Sequence, residues 1–167
     1  MRFTYIKTPL NRYTFKSKPI KNWVESKCYG RVLNLFAGRT KLRVKEIRND
    51  VDMGMIADYH MDALDFVNSW SGDKFDVVIL DPPYSYRKSM EMYNNHKASR
   101  FNQLKDAIPN ILNDNGIVIT FGYHSVSMGE KRGFIQDEIC LMYHGGAIHD
   151  TIACVEQKVN KNIDVLN

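Results

Sequence analysis

An α/β fold built on a mostly parallel sheet is predicted by three apolar runs, at 31–38, 75–80 and 116–123, each of which stops in a turn or a polar loop. Apolar residues in unbroken series suit strands covered on both faces, as crossover helices cover a parallel sheet. A last pair of runs, 138–144 and 151–158, is joined through Gly145-Gly146 and reads as an antiparallel hairpin closing the sheet.

With 167 residues the chain is expected to form a single domain, and its hydrophobic share of 44% and charged share of 25% are those of ordinary globular proteins. No apolar run is long enough to span a bilayer, and the first residues lack the apolar core of a secretion signal, so a cytoplasmic protein with no membrane partner is expected. Cys28, Cys140 and Cys154 are odd in number and widely spaced, which argues for reduced thiols and against a disulfide framework or zinc site. The net charge is +4, and the first 31 residues carry Arg2, Lys7, Arg12, Lys16, Lys18, Lys21, Lys27 and Arg31 against one acid, Glu25. Such a bias suits a polyanionic partner.

Taken in order, residues 1–18 read as a basic arm in which aromatic and cationic residues alternate. Ser17 or Lys18 before Pro19 suits a helix start, and Ile20, Trp23 and Val24 recur at helical spacing. The run 31–38 is the first apolar strand and ends in Gly38; 42–50 reads as the second and 56–60 as part of a third. The connections here are too short for full crossover helices, which are expected to be reduced. Phe66, Val67 and Trp70 suggest a short helix before Gly72. Leu104, Ala107, Ile108, Ile111 and Leu112 give a helical stripe ending at Asn115-Gly116, with Pro109 expected to kink or divide it. His144 and His149 lack a third ligand, so no metal site is expected. The tail from 160 onward is expected to fray.

The run 75–80 leads into Asp81-Pro82-Pro83-Tyr84, where the prolines must end the ladder. Beyond the carboxyl end of a parallel strand is where open α/β sheets bind ligands. A carboxylate at Asp81 and a carbonyl at Pro82 could each accept one N–H of an exocyclic amine, drawing the nitrogen toward tetrahedral geometry and freeing its lone pair. Tyr84 offers a flat face for a base removed from its stack. The next 19 residues are rich in cations and aromatics, including Tyr86, Arg87 and Lys88, and have the character of a substrate-binding loop.

These residues resemble motif IV of the amino-methyltransferases, and Asn34-Leu35-Phe36-Ala37-Gly38 resembles motif I of the class I S-adenosylmethionine-dependent methyltransferases. Thr40 stands where the fuller pattern has a second glycine. The resemblance implies a Rossmann-like fold, with Asp81, Pro82, Pro83 and Tyr84 as catalytic residues. It implies S-adenosylmethionine held by Asn34, Phe36, Ala37, Gly38, Asp50, Asp62 and Ala63, with Asp52 and Asp58 the alternates for the two acids.

The expected activity is methyl transfer to an exocyclic nucleobase amine, N6 of adenine in DNA being favoured and the same site on RNA being the alternative. A non-catalytic cofactor-binding subunit and a small-molecule amine acceptor are the further alternatives. Substrate contacts are expected from Tyr86, Arg87, Lys88, Lys16 and Lys18. No segment is long enough for a separate target-recognition domain, so specificity is expected from the arm and loop, a homodimer or a recognition subunit.

Overall fold

The computed structural model describes residues 1–83, 100–147 and 149–159. Its strands are β1 (Arg2–Lys7), β2 (Val32–Asn34), β3 (Glu46–Arg48), β4 (Phe75–Leu80), β5 (Leu112–Gly122), β6 (Phe134–Tyr143) and β7 (Thr151–Lys158). The helices are α1 (Lys18–Lys27), α2 (Ala63–Ser69) and α3 (Arg100–Ile111). All seven strands join one sheet in the order β1-β6-β7-β5-β4-β2-β3. Pairing is parallel except for β7, which runs antiparallel to both β5 and β6, as the closing hairpin predicts.

The centre of the sheet is apolar on both faces because helices cover both. Val77, Val78, Ile79 and Leu80 are all completely buried, each contributing about 1.5–3 kcal/mol of transfer free energy. One face, with Leu33, Leu35, Val78, Leu80 and Val118, packs on α2 and α3 through Phe66, Val67, Leu104 and Ile108. The other, with Val32, Val77, Ile79, Ile119 and Phe121, packs on Ile20, Trp23 and Val24 of α1. Trp23 is therefore a core residue, edge-on to Phe121 at 6.2 Å.

Four elements differ from the sequence expectation. Residues 2–7, expected to belong to the arm, form an edge strand whose Arg2 to Lys7 pair in register with Glu138 to Tyr143. The arm is also pinned beyond it. Thr8 donates its N–H to the Tyr143 carbonyl at 3.0 Å, and Phe15 is buried edge-on to Phe121 at 5.5 Å. The third strand is reduced to a single bridge between Asn49 and Tyr59, because Asp52, Gly54 and Asp58 in its vicinity favour turns over a ladder. Finally, α3 runs through Pro109 and ends at Ile111, before Asn115-Gly116. Pro109 has no N–H to give the Lys105 carbonyl, so α3 forgoes one hydrogen bond in its last turn. The Lys158 ammonium donates to the carbonyls of Pro109 and Leu112 at 3.1 and 3.0 Å, closing the terminus where a basic group is favoured. Between β2 and β3 there is no helix, so the expected reduction of the first crossovers is observed.

Candidate functional site

The carboxyl ends of β2, β3, β4 and β5 converge because these strands are parallel neighbours, and the chain leaves β2 toward opposite sides to reach β3 and β4. A cleft of about 580 Å³ opens at this reversal, where open α/β sheets carry their ligands. Leu35 to Thr40 after β2 line it, with Asp50, Val51, Asp52 and Met55 after β3. Met61, Asp62 and Ala63 at the start of α2 and Asp81, Pro82 and Pro83 after β4 complete its base. Residues 10–15 form a further wall, and Tyr123 and Thr151 border it.

The turn after β2 is held by its neighbours rather than by a run of glycines. Gly38 has φ of +57°, a left-handed conformation that a side chain disfavours. A Cβ there would meet nothing within 4 Å, so the backbone angle alone explains the glycine. The Gly38 N–H donates to Asp50 Oδ2 at 2.8 Å, and Asp50 Oδ1 accepts from the Asp52 N–H at 3.0 Å. Two of the four lone-pair positions of the Asp50 carboxylate remain for a ligand. Asp52 is exposed and caps its own turn by accepting from the Gly54 N–H at 2.8 Å.

Behind this turn lies Arg48, only 3% exposed. Its guanidinium donates to the carbonyls of Ala37 at 3.0 Å, Gly38 at 2.9 Å, Thr40 at 3.2 Å and Ile56 at 2.8 Å, and is paired with Glu46. A planar fork with five donors can hold several carbonyls at once, which an ammonium cannot. Sequence reasoning passed over Arg48. The available signal was an arginine closing a short strand two residues after a glutamate, beside a turn that lacks its second glycine.

Of the expected cofactor residues, Phe36, Ala37, Gly38, Asp50, Asp62 and Ala63 line the cleft, as does the alternate Asp52. Asn34 does not; it is fully buried in β2 and donates to Glu46 Oε2 at 3.1 Å. Asp58 lies outside the cleft too, exposed and accepting the Arg48 N–H at 2.8 Å. Asp62 caps α2 by accepting from the N–H groups of Leu64 and Asp65 at 2.9 and 3.3 Å, and is paired with Arg100 at 2.8 Å. Burial pushes its carboxyl up, but the Arg100 guanidinium and the two capping N–H groups outweigh that and hold it below its ordinary value. Its Oδ2, which accepts from Arg100 Nε at 3.2 Å, keeps one lone pair for a ligand.

The predicted catalytic turn is at the cleft: Asp81 is half-buried, Pro82 buried and Pro83 exposed. Tyr84, Tyr86, Arg87 and Lys88 lie outside the described residues. Lys16 and Lys18 are exposed and do not line the cleft. Sequence reasoning did not single out Tyr13 or Tyr123, both of which reach it; Tyr123 also packs against His149 at 5.4 Å.

No protein-family model matches the chain, and no curated protein matches it in sequence. Solved structures do match in fold. The 1,6-didemethyltoxoflavin-N1-methyltransferase of Burkholderia thailandensis, solved with 1,6-didemethyltoxoflavin and S-adenosylhomocysteine bound, has a TM-score of 0.60 at 11% identity, over 86% of this chain and 78% of that one. The N-methyltransferase NodS of Bradyrhizobium japonicum matches with a TM-score of 0.55 at 10% identity, over 87% of this chain and 99% of that one. TrmN from Thermus thermophilus matches with a TM-score of 0.52 at 15% identity, over 77% of this chain and 44% of that one. The fold is thus the Rossmann-like fold of S-adenosylmethionine-dependent methyltransferases.

Proposed function

We propose that the chain is an S-adenosylmethionine-dependent methyltransferase acting on an exocyclic nucleobase amine, N6 of adenine in DNA. The observation that carries this reading is that one cleft holds both the Gly38–Asp50 turn and Asp81-Pro82-Pro83. Each has a chemistry the other needs, and each ends a parallel strand of a fold shared with methyltransferases.

The cleft residues fit the cofactor. Asp50 keeps acceptor capacity for two ribose hydroxyls, the turn at Gly38 leaves open space where a side chain would stand, and Phe36, Ala37, Met61 and Ala63 offer apolar surface to an adenine ring. When bound, S-adenosylmethionine supplies an electrophilic methyl group. Asp81 and the Pro82 carbonyl accept the two N–H bonds of the target amine, which localises its lone pair and aims it into the cleft. Asp81, which accepts one of those N–H bonds, can take the proton that the amine loses. No side-chain nucleophile is required.

The test is transfer of a labelled methyl group to unmodified DNA, RNA and free nucleosides in parallel, with identification of the modified nucleoside after digestion. Label in N6-methyldeoxyadenosine is the expected result. Label confined to RNA overturns the polymer, and label confined to free nucleosides overturns the polymeric substrate. S-adenosylhomocysteine binding with no transfer to any acceptor overturns the enzymatic reading of the isolated chain.

A further inference from the structure

Two cations at the cleft are used by nothing described so far. Arg12, on the segment between β1 and α1, and Arg39, in the turn after β2, converge on the ring of Tyr13. Each guanidinium carbon lies 5.7 Å from the ring centroid. All three residues line the cleft. Both arginines are exposed, Tyr13 is half-buried, and neither arginine is paired with a carboxylate among the described residues. The other arginines near this end of the molecule behave differently: Arg43 is paired with Glu25, Arg48 with Glu46 and Arg100 with Asp62.

We infer that Arg12 and Arg39, set on Tyr13, form a seat for the phosphodiester backbone of a single nucleic-acid strand at the mouth of the cleft. This deepens, and rests on, the nucleobase-methyltransferase reading. A guanidinium set over a ring keeps its N–H donors free at its edge, so phosphate oxygens can accept from Arg12 and Arg39 while both cation–π contacts stay in place.

The charge pattern selects the occupant. Asp50 stands half-buried in the cleft and, among the described residues, accepts only main-chain N–H groups, while Arg12 and Arg39 stand exposed beside it. A phosphate is therefore repelled by this carboxylate inside and attracted at the rim, whereas a neutral base meets no such penalty inside. A polymer whose base leaves the stack while its backbone remains outside satisfies both conditions. Lys16 and Lys41, both exposed, lie on the same two segments, outside the cleft lining. Tyr13 is held in place by its surroundings: its carbonyl accepts the Lys16 N–H at 3.0 Å in a short 3-10 turn whose Phe15 is buried in the core.

The experiment measures binding of a fluorescent single-stranded DNA, its RNA counterpart and adenosine monophosphate to the whole chain over a range of salt. The wild type is compared with Arg12→Gln, Arg39→Gln, the double variant and the double lysine variant. Thermal melting and S-adenosylhomocysteine binding check that the cleft is folded in each.

Each glutamine substitution is expected to flatten the log–log salt dependence of strand binding by about 0.7, the value for one lost single-strand phosphate contact. The double lysine variant is expected to restore the slope. No strand binding by the wild type overturns the inference, as does an unchanged slope in a folded double glutamine variant. Adenosine monophosphate binding as tightly as the strand, with the same dependence on Arg12 and Arg39, overturns the polymeric backbone as occupant. The slopes are independent of methyl transfer: arginine-dependent strand binding without transfer supports the seat and removes the enzymatic reading instead.

Discussion

The main-chain N–H of Gly38 and the Oδ2 of Asp50 are joined by a 2.8 Å hydrogen bond that ties the turn after β2 to the turn after β3. The two strands pair over only three residues each, and this bond adds to the Asn49–Asn34 and Ala37–Asn49 main-chain bonds that continue their alignment past the ladder. Asp50→Ala is expected to weaken S-adenosylhomocysteine binding by about 1.5–3 kcal/mol, the usual range for a hydrogen bond to a charged group. Asn at this position keeps one acceptor oxygen and is expected to lose less. Isothermal titration calorimetry measures both, and wild-type affinity in a folded Ala variant would remove Asp50 from the cofactor site.

Arg48→Met leaves Glu46 buried without its counter-ion and releases the carbonyls of Ala37, Gly38 and Thr40. A loss of about 3–5 kcal/mol in unfolding free energy is expected, measured by urea denaturation. Arg48→Lys keeps the charge but not the fork, and is expected to weaken cofactor binding out of proportion to its effect on stability. Equal losses in both would mean that Arg48 acts only as a core ion pair.

Asp81→Ala is expected to retain S-adenosylhomocysteine binding while methyl transfer falls by a factor of about 10² to 10³, as when one preplaced polar group is removed from an active site. Binding and turnover falling together would assign Asp81 to the cofactor rather than the amine.

Glu138 is 1% exposed and accepts from Trp23 Nε1 at 2.8 Å and Thr4 Oγ1 at 2.7 Å, and is paired with Lys27. Burial pushes its carboxyl up, but the bonds from Lys27, Thr4 and Trp23 prevail and hold it below the ordinary 4.5. A depressed folded-state value gives stability that is fully present above 4.5 and is lost as pH falls through the folded value. The stability difference between wild type and Glu138→Gln is thus expected to be constant near neutrality and to shrink below about pH 4.5. Denaturation curves across that range measure it; a difference that grew on acidification would contradict the assignment.

Burial raises the thiols of Cys28, Cys140 and Cys154 to about 12 each. Because the thiolate is the reactive form, a thiol reagent at mild pH is expected to label none of them in the native chain and all three after denaturation. Rapid native labelling of any one would place it in a more open setting than the fold provides.

The parts legible in the sequence were those in which one residue type has few alternatives. Unbroken apolar runs could only be covered strands, the prolines after Asp81 had to end β4, and Gly145-Gly146 had to turn a hairpin. What escaped depends on partners distant in sequence. Arg2–Lys7 alternates Phe3 and Tyr5 with Thr4 and Ile6, but its charged ends gave it the look of an arm until β6 supplied a ladder. Arg48 reads as one cation among 23; only folding shows four carbonyls turned toward it. The expected contact at Asn34 followed from a motif whose shape here is maintained by different means, so its amide turns to Glu46 instead. Asp62 could be placed beside the cleft from its order in the chain, whereas its pairing with Arg100 required a helix 38 residues away.

The pairing of β1 with β6 also sets an order of events in synthesis. Arg2 has no ladder partner until Glu138 has been made, and Lys7 none until Tyr143. A contact of that separation closes late and slowly compared with the neighbouring β4–β5 pair. Residues 10–15, which wall the cleft, follow directly from this strand and are anchored through Thr8 to Tyr143. The central strands and their two turns can therefore assemble on the emerging chain while the cleft still lacks a wall, and a nascent protein becomes competent to enclose a ligand only when its first residues return to meet its last strands.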